Sequence, residues 1–163
     1  MKFLRILFLI NTLVVLVFFT LLLTSESESA LSSDFTTDIP RPAAFKLLVK
    51  QLTASGESPL TIEFTYGTND HALKLSYQMQ RDEVNYRLTL LPDMDSPSLF
   101  AWKEMRHQIT LKELVDGSTD IQWQLNYRVS GWTARLLNRF FWKPALQKFL
   151  NEKINALKQS FAS

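Results

Sequence analysis

Along residues 119–161 the spacing of apolar positions changes from two to about four, and the change falls at a single glycine. Ile121, Trp123, Leu125, Tyr127 and Val129 alternate with Gln122, Gln124, Asn126 and Arg128, which predicts a half-buried strand with one core face. After Gly131 the helical period takes over, with Leu136, Leu137, Phe140 and Phe141 on one side and then Phe149, Leu150, Ile154, Leu157 and Phe161. At about 100° per residue the two stripes sit more than a quarter turn apart. Pro144 supplies a cause, since it disfavours helical geometry just before it and suits the first position of a new helix. The pattern predicts a short helix, a bend, and a long helix laid over a sheet.

Upstream the same reasoning gives a first strand in which Leu31, Ser33, Phe35, Thr37 and Ile39 share one face, stopped by Pro40. Pro42 opens a helix reaching about Leu52, with Phe45, Leu48, Val49 and Leu52 at helical spacing and Gly56 beyond its end. Ile62, Phe64 and Tyr66 mark a second strand. The turn residues Gly67 to Asp70 lead to a third, with Leu73, Leu75, Tyr77 and Met79 on one face. Arg81, Asp82 and Glu83 make the next turn, and Val84, Tyr86, Leu88 and Leu90 give a fourth strand ending at Pro92, followed by a loop to Pro97. Residues 98–115 fit either two strands or one long bulged strand. Asp116-Gly117 then closes a hairpin onto the Thr119 strand. A strand, a helix, about six antiparallel strands and a terminal helix, without a βαβ signal, define an α+β class.

The first 25 residues are of another kind. Between Ile6 and Ser25 there is no charge, and roughly 20 apolar residues match the thickness of a bilayer core. A cleaved signal peptide and a buried core helix are the alternatives, but the run is long for the first and lacks a small-x-small exit. The expectation is therefore an uncleaved transmembrane signal-anchor over 1–25, a polar tether over 26–30 and a single domain over 31–163. Lys2 and Arg5 before the run and Glu26 and Glu28 after it place the C-terminal domain of a single-pass membrane protein on the non-cytoplasmic side by the positive-inside rule.

Charge and candidate chemistry narrow the function classes. Outside Lys2, Arg5, Glu26 and Glu28 the chain holds 16 basic and 14 acidic residues of its 18 and 16, too even a balance to argue for nucleic acid as a partner. It contains no cysteine, which excludes a thiol nucleophile and a disulfide framework. The two histidines, His71 and His107, lie near different turns without metal-ligand spacing, and four dispersed glycines make no phosphate loop. No metal and no cofactor is expected, and no reaction is legible. One charged feature stands out: Arg135, Arg139 and Lys143 recur at every fourth residue close to Trp132 and Trp142. That stripe is either an ordinary solvated helix face or a membrane-surface contact facing anionic headgroups.

The passage Asp38-Ile39-Pro40-Arg41-Pro42-Ala43-Ala44-Phe45, the Gly117 turn, the Trp123 strand and the terminal helix ending Ile154 to Phe161 resemble the START-like (SRPBCC) superfamily of polyketide cyclase-like and lipid-transport-like domains. The resemblance covers nearly all of 31–163. It implies a helix-grip fold, in which a curved antiparallel sheet wraps the C-terminal helix around a hydrophobic pocket. In such a pocket Tyr66, Tyr77, Tyr86 and Tyr127 would be the polar handles, with Trp123, Phe141 and Phe149 as apolar walls. The bland alternative is that these aromatics are plain core. Three functions follow as expectations: a membrane-anchored binding domain for a hydrophobic small molecule or lipid, a polyketide cyclase-like enzyme, or a pocketless interaction module.

Overall fold

The computed structural model describes residues 2–53, 60–66, 71–92 and 102–162, with backbone only at 2–5, 22, 60–66 and 71–75. Its elements run α1 (Lys2–Leu23), β1 (Glu28–Thr37), α2 (Arg41–Thr53), β2 (Leu60–Tyr66), β3 (His71–Asp82), β4 (Arg87–Pro92), β5 (Trp102–Glu113), β6 (Thr119–Val129), α3 (Trp132–Leu137), a π-helical turn (Asn138–Trp142) and α4 (Lys143–Ala162). The six strands form one sheet in the order β1-β6-β5-β4-β3-β2, with every neighbouring pair antiparallel. Helix α4 packs against β1 and β2, the two edge strands. A sheet whose opposite edges meet the same helix must curve around it, which is the helix-grip arrangement.

Burial follows the alternation predicted for β6: Ile121, Trp123, Leu125, Tyr127 and Val129 are all buried. They pair in register with Leu31 and Phe35 of β1 and with His107, Ile109 and Leu111 of β5, so one continuous apolar face looks toward α4. Between β5 and β6 the turn is held by Asp116, whose carboxylate accepts from the Ser118 N–H at 3.0 Å and from its hydroxyl. Gly117 takes φ +83° there, and Gly131 takes φ +89° where β6 becomes α3. Both conformations are strained for residues with a Cβ.

Residues 102–113 form one long bulged strand, with the register against β6 shifting between Lys103 and Arg106. Strand β1 begins earlier than the alternation suggests. Glu28, Ser29 and Ala30, expected in the polar tether, pair with Arg128, Tyr127 and Asn126, because Ser29 has a buried partner described below. Val84 and Tyr86 do not belong to a strand: they lie in the β3–β4 turn, where Asp82 accepts from the Asn85 N–H and side-chain amide, and Tyr86 adopts φ +50°. The expected stop at Gly56, the turn at Gly67 to Asp70 and the loop at 93–97 lie outside the described residues.

The C-terminal helix changes phase without the loss of helical geometry expected just before Pro144. Backbone angles stay helical at Leu137, Asn138 and Lys143, and the turn between them widens to π geometry. The sheet-facing positions Ala134, Asn138, Trp142, Leu146 and Leu150 are spaced by four, a spacing that drifts by about 40° per step on an α-helix. A turn with more residues offsets that drift. It also leaves Leu137, Phe140 and Phe141 exposed, so the apolar stripe assigned to them is not the packed face.

The single-pass membrane assignment is overturned. Among the described residues no helix is long and apolar enough to cross a membrane. The segment concerned is α1. Its C-terminal end is bound to the domain instead. Phe18 meets Trp132 edge-on at 5.9 Å, and the hydroxyl of Thr24 accepts from Arg139 at 2.6 Å.

Candidate functional site

Three aromatic side chains from separate strands meet on the inner face of the sheet. Tyr77 of β3, His107 of β5 and Trp123 of β6 are each at most 2% exposed, and their rings contact edge-on, Tyr77 to His107 at 5.0 Å and His107 to Trp123 at 5.9 Å. The strand period puts them there. His107 is two residues from Ile109 on β5, and Ile109 pairs with Trp123.

Their polar atoms form a directed chain. Trp123 Nε1–H donates to His107 Nδ1 at 3.1 Å, so Nδ1 carries the lone pair and the neutral ring bears its proton on Nε2. That proton points to the Tyr77 oxygen at 3.1 Å, and the Tyr77 hydroxyl donates onward to Met105 Sδ at 3.3 Å. Burial lowers the His107 pKa to about 3 and raises that of the Tyr77 phenol above its ordinary value. Both groups are therefore neutral near pH 7. With both ring nitrogens engaged, His107 is poorly placed as a base. It orients Tyr77, whose hydroxyl is the last donor of the chain.

A second polar node lies where β6 meets the π turn. Tyr127 donates to Asn138 Oδ1 at 2.8 Å, and Asn138 Nδ2 donates to Ser29 Oγ at 3.1 Å. All three residues are buried. Burial is the main influence on the Tyr127 hydroxyl and raises its pKa.

The other residues singled out from the sequence scatter. Phe149 of α4 is buried, whereas Phe141, within the π turn, is 65% exposed. Tyr86 packs edge-on against Phe45 of α2 at 5.6 Å, with the Arg41 guanidinium 4.5 Å above its ring, away from the polar chain. Tyr66 belongs to β2, but its side chain lies outside the described residues. Of the basic stripe, Arg139 holds Thr24 and Lys143 pairs with Glu26 at 3.3 Å, while Arg135 is half-buried. Two of the three cations thus fasten the segment that links α1 to β1.

Of the residues singled out from the sequence as site candidates, Tyr77, Trp123 and Tyr127 take part in these two polar groups, whereas His107, Met105 and Asn138 are not among the candidates. For His107 a signal existed, since it precedes Ile109 and Leu111 by two and four residues and so shares their face. Met105 is brought inward by the bulge, and Asn138 by the widened turn; neither irregularity has a sequence signature.

This architecture has clear counterparts among solved structures. The Zhui aromatase/cyclase from a Streptomyces species superposes with a TM-score of 0.53 at 10% identity, over 81% of this chain and 94% of that one. The di-domain ARO/CYC BexL gives a TM-score of 0.57 at 13% identity, and the match spans 81% of this chain but only 46% of that longer protein. Norcoclaurine synthase from Thalictrum flavum gives 0.51 at 10% identity, over 77% and 96% of the two chains. These are helix-grip proteins of the SRPBCC type, and the likeness extends to the fold. No protein-family model and no curated protein matches the sequence.

Proposed function

We propose that this chain receives a small apolar molecule bearing carbonyl or phenol oxygens between its sheet and α4, and promotes its ring closure in the manner of a polyketide-type cyclase. The observation that carries this reading is the buried chain from Trp123 through His107 to the Tyr77 hydroxyl, set on the inner face of the sheet. The similarity to aromatase/cyclase folds supports it.

In an aldol closure an enol carbon bonds to a carbonyl carbon. The carbonyl oxygen gains the proton that the α-carbon loses, so no redox partner is required. Tyr77 stabilises the developing oxyanion by donating to it, in a site where solvent does not compete. His107 holds that hydroxyl in place, and Phe149 and Leu150 press the apolar part of the molecule against the sheet.

The test is an aryl-substituted diketone whose intramolecular aldol closure, followed by loss of water, yields a conjugated enone, monitored by absorbance with the full chain. The expected result is accelerated closure that falls about 100-fold in Tyr77→Phe, the usual loss for one oxyanion donor. Binding without acceleration would leave a binding domain and overturn the enzymatic reading.

A further inference from the structure

We infer that Met105 is the resting occupant of a hydrogen-bonding subsite at the Tyr77 hydroxyl, and that a carbonyl or phenol oxygen of the bound molecule displaces it. This rests on the proposed site between sheet and helix and adds to it a selecting residue.

The hydrogen-bond chain has a direction and an unsatisfying end. Trp123 donates to His107 and His107 to Tyr77, so the Tyr77 oxygen is already supplied with a proton and its own O–H is the last donor. Successive donors polarise one another and strengthen that last one. It ends on a thioether sulfur 3.3 Å away, one of the weakest acceptors a side chain offers. An sp² oxygen of a ligand is a better acceptor in every respect.

Met105 is also placed to yield. It sits within the bulge of β5, between Lys103 and Arg106, where the ladder to β6 is interrupted. Its neighbour Glu104 takes φ +57° and is pinned on the outer face by Arg128 at 3.1 Å. On the other side the ladder to β4 runs, among the described residues, from Arg87↔Thr110 to Leu90↔His107, and Met105 lies beyond it. Methionine adds three rotatable bonds and no branch point. The side chain that blocks the donor is thus flexible and mounted where the strand is least tied.

The experiment compares acetylnaphthalene with isopropenylnaphthalene, which has the same shape but a methylene in place of the carbonyl oxygen, by calorimetric titration of the full chain. The wild type is expected to prefer the ketone about tenfold, the factor that one net hydrogen bond supplies. In Met105→Leu, which keeps the volume and removes the resting acceptor, the preference should widen. In Tyr77→Phe it should vanish, and the carbonyl stretch of bound ketone, shifted to lower frequency in the wild type, should return toward its value in hydrocarbon solvent. Equal affinity for the two probes in the wild type, or an unchanged ratio in Met105→Leu, overturns the subsite while leaving the apolar site standing. Binding of neither probe overturns both. Met105→Leu decides the matter even if Tyr77→Phe fails to fold.

Discussion

The hydroxyl of Tyr127 donates to the side-chain oxygen of Asn138 across 2.8 Å, and through Asn138 the last strand is tied to Ser29 at the start of the first. The node lies at the π turn, so it fixes the one place where the C-terminal helix changes phase. Replacing Asn138 by Ala removes a partner from each of two buried hydroxyls. The expected loss is about 1 to 3 kcal/mol for each group left unpaired. Urea unfolding of Asn138→Ala, Tyr127→Phe and the double variant should show strong coupling. Additive effects would mean that the two side chains do not depend on each other.

Trp123 supplies both bulk and a donor, and the two contributions separate by substitution. Trp123→Ala should cost about 3 to 5 kcal/mol through the cavity it leaves. The adjacent Gln124→Ala, on the other face, should stay within roughly 0.5 kcal/mol. Equal costs in chemical denaturation would contradict the register in which Trp123 opposes Ile109.

His107 makes stability depend on pH in a definite direction. Burial lowers its folded pKa to about 3 from its ordinary value of 6.5. Between those values the unfolded chain binds a proton that the folded chain does not, so stability rises with pH. On acidification the loss begins near the unfolded pKa and continues down to the folded one, with a limiting slope of about 1.4 kcal/mol per pH unit for this group. Carboxylates titrate in part of the same window, so the informative quantity is a difference. The unfolding free energy of the wild type between pH 7 and pH 4.5 should fall more steeply than that of His107→Gln, by one proton at the limit. Parallel curves would show that His107 is protonated in the folded protein.

The sheet was far more legible than the helix that covers it, and the reason is physical. On β6 one face is buried along its whole length, so burial writes a strict two-residue period into the sequence. Val84 and Tyr86 continue that period into β4 by composition, yet they occupy a turn whose Asn85 and Asp82 contacts set its geometry. On the terminal helix, residue type misleads: Phe140 and Phe141 are as apolar as Phe149 but exposed, while polar Asn138 is buried. Only the packing of the π turn decides between them. The candidate site shows the same division. Tyr77 and Trp123 announce themselves by alternation, whereas the relation of Met105 to Tyr77 depends on a bulge. A lone histidine at position 107 carries no chemical spacing to reveal that it bridges them.

The phase of the terminal helix gives the last prediction. Leu150 is fully buried under the sheet and Phe141, nine positions earlier by number, is 65% exposed. With Leu150 facing the sheet, Leu150→Ala should cost about 2 to 5 kcal/mol as a core truncation. Phe141→Ala, although it deletes the larger side chain, should stay within about 0.5 kcal/mol. At about 100° per residue, nine positions set Phe141 half a turn from Leu150 and away from the sheet, and a costly Phe141 change would contradict that phase. Thermal or urea unfolding of the two variants distinguishes the cases, because the predicted order of losses is the reverse of the order of side-chain size.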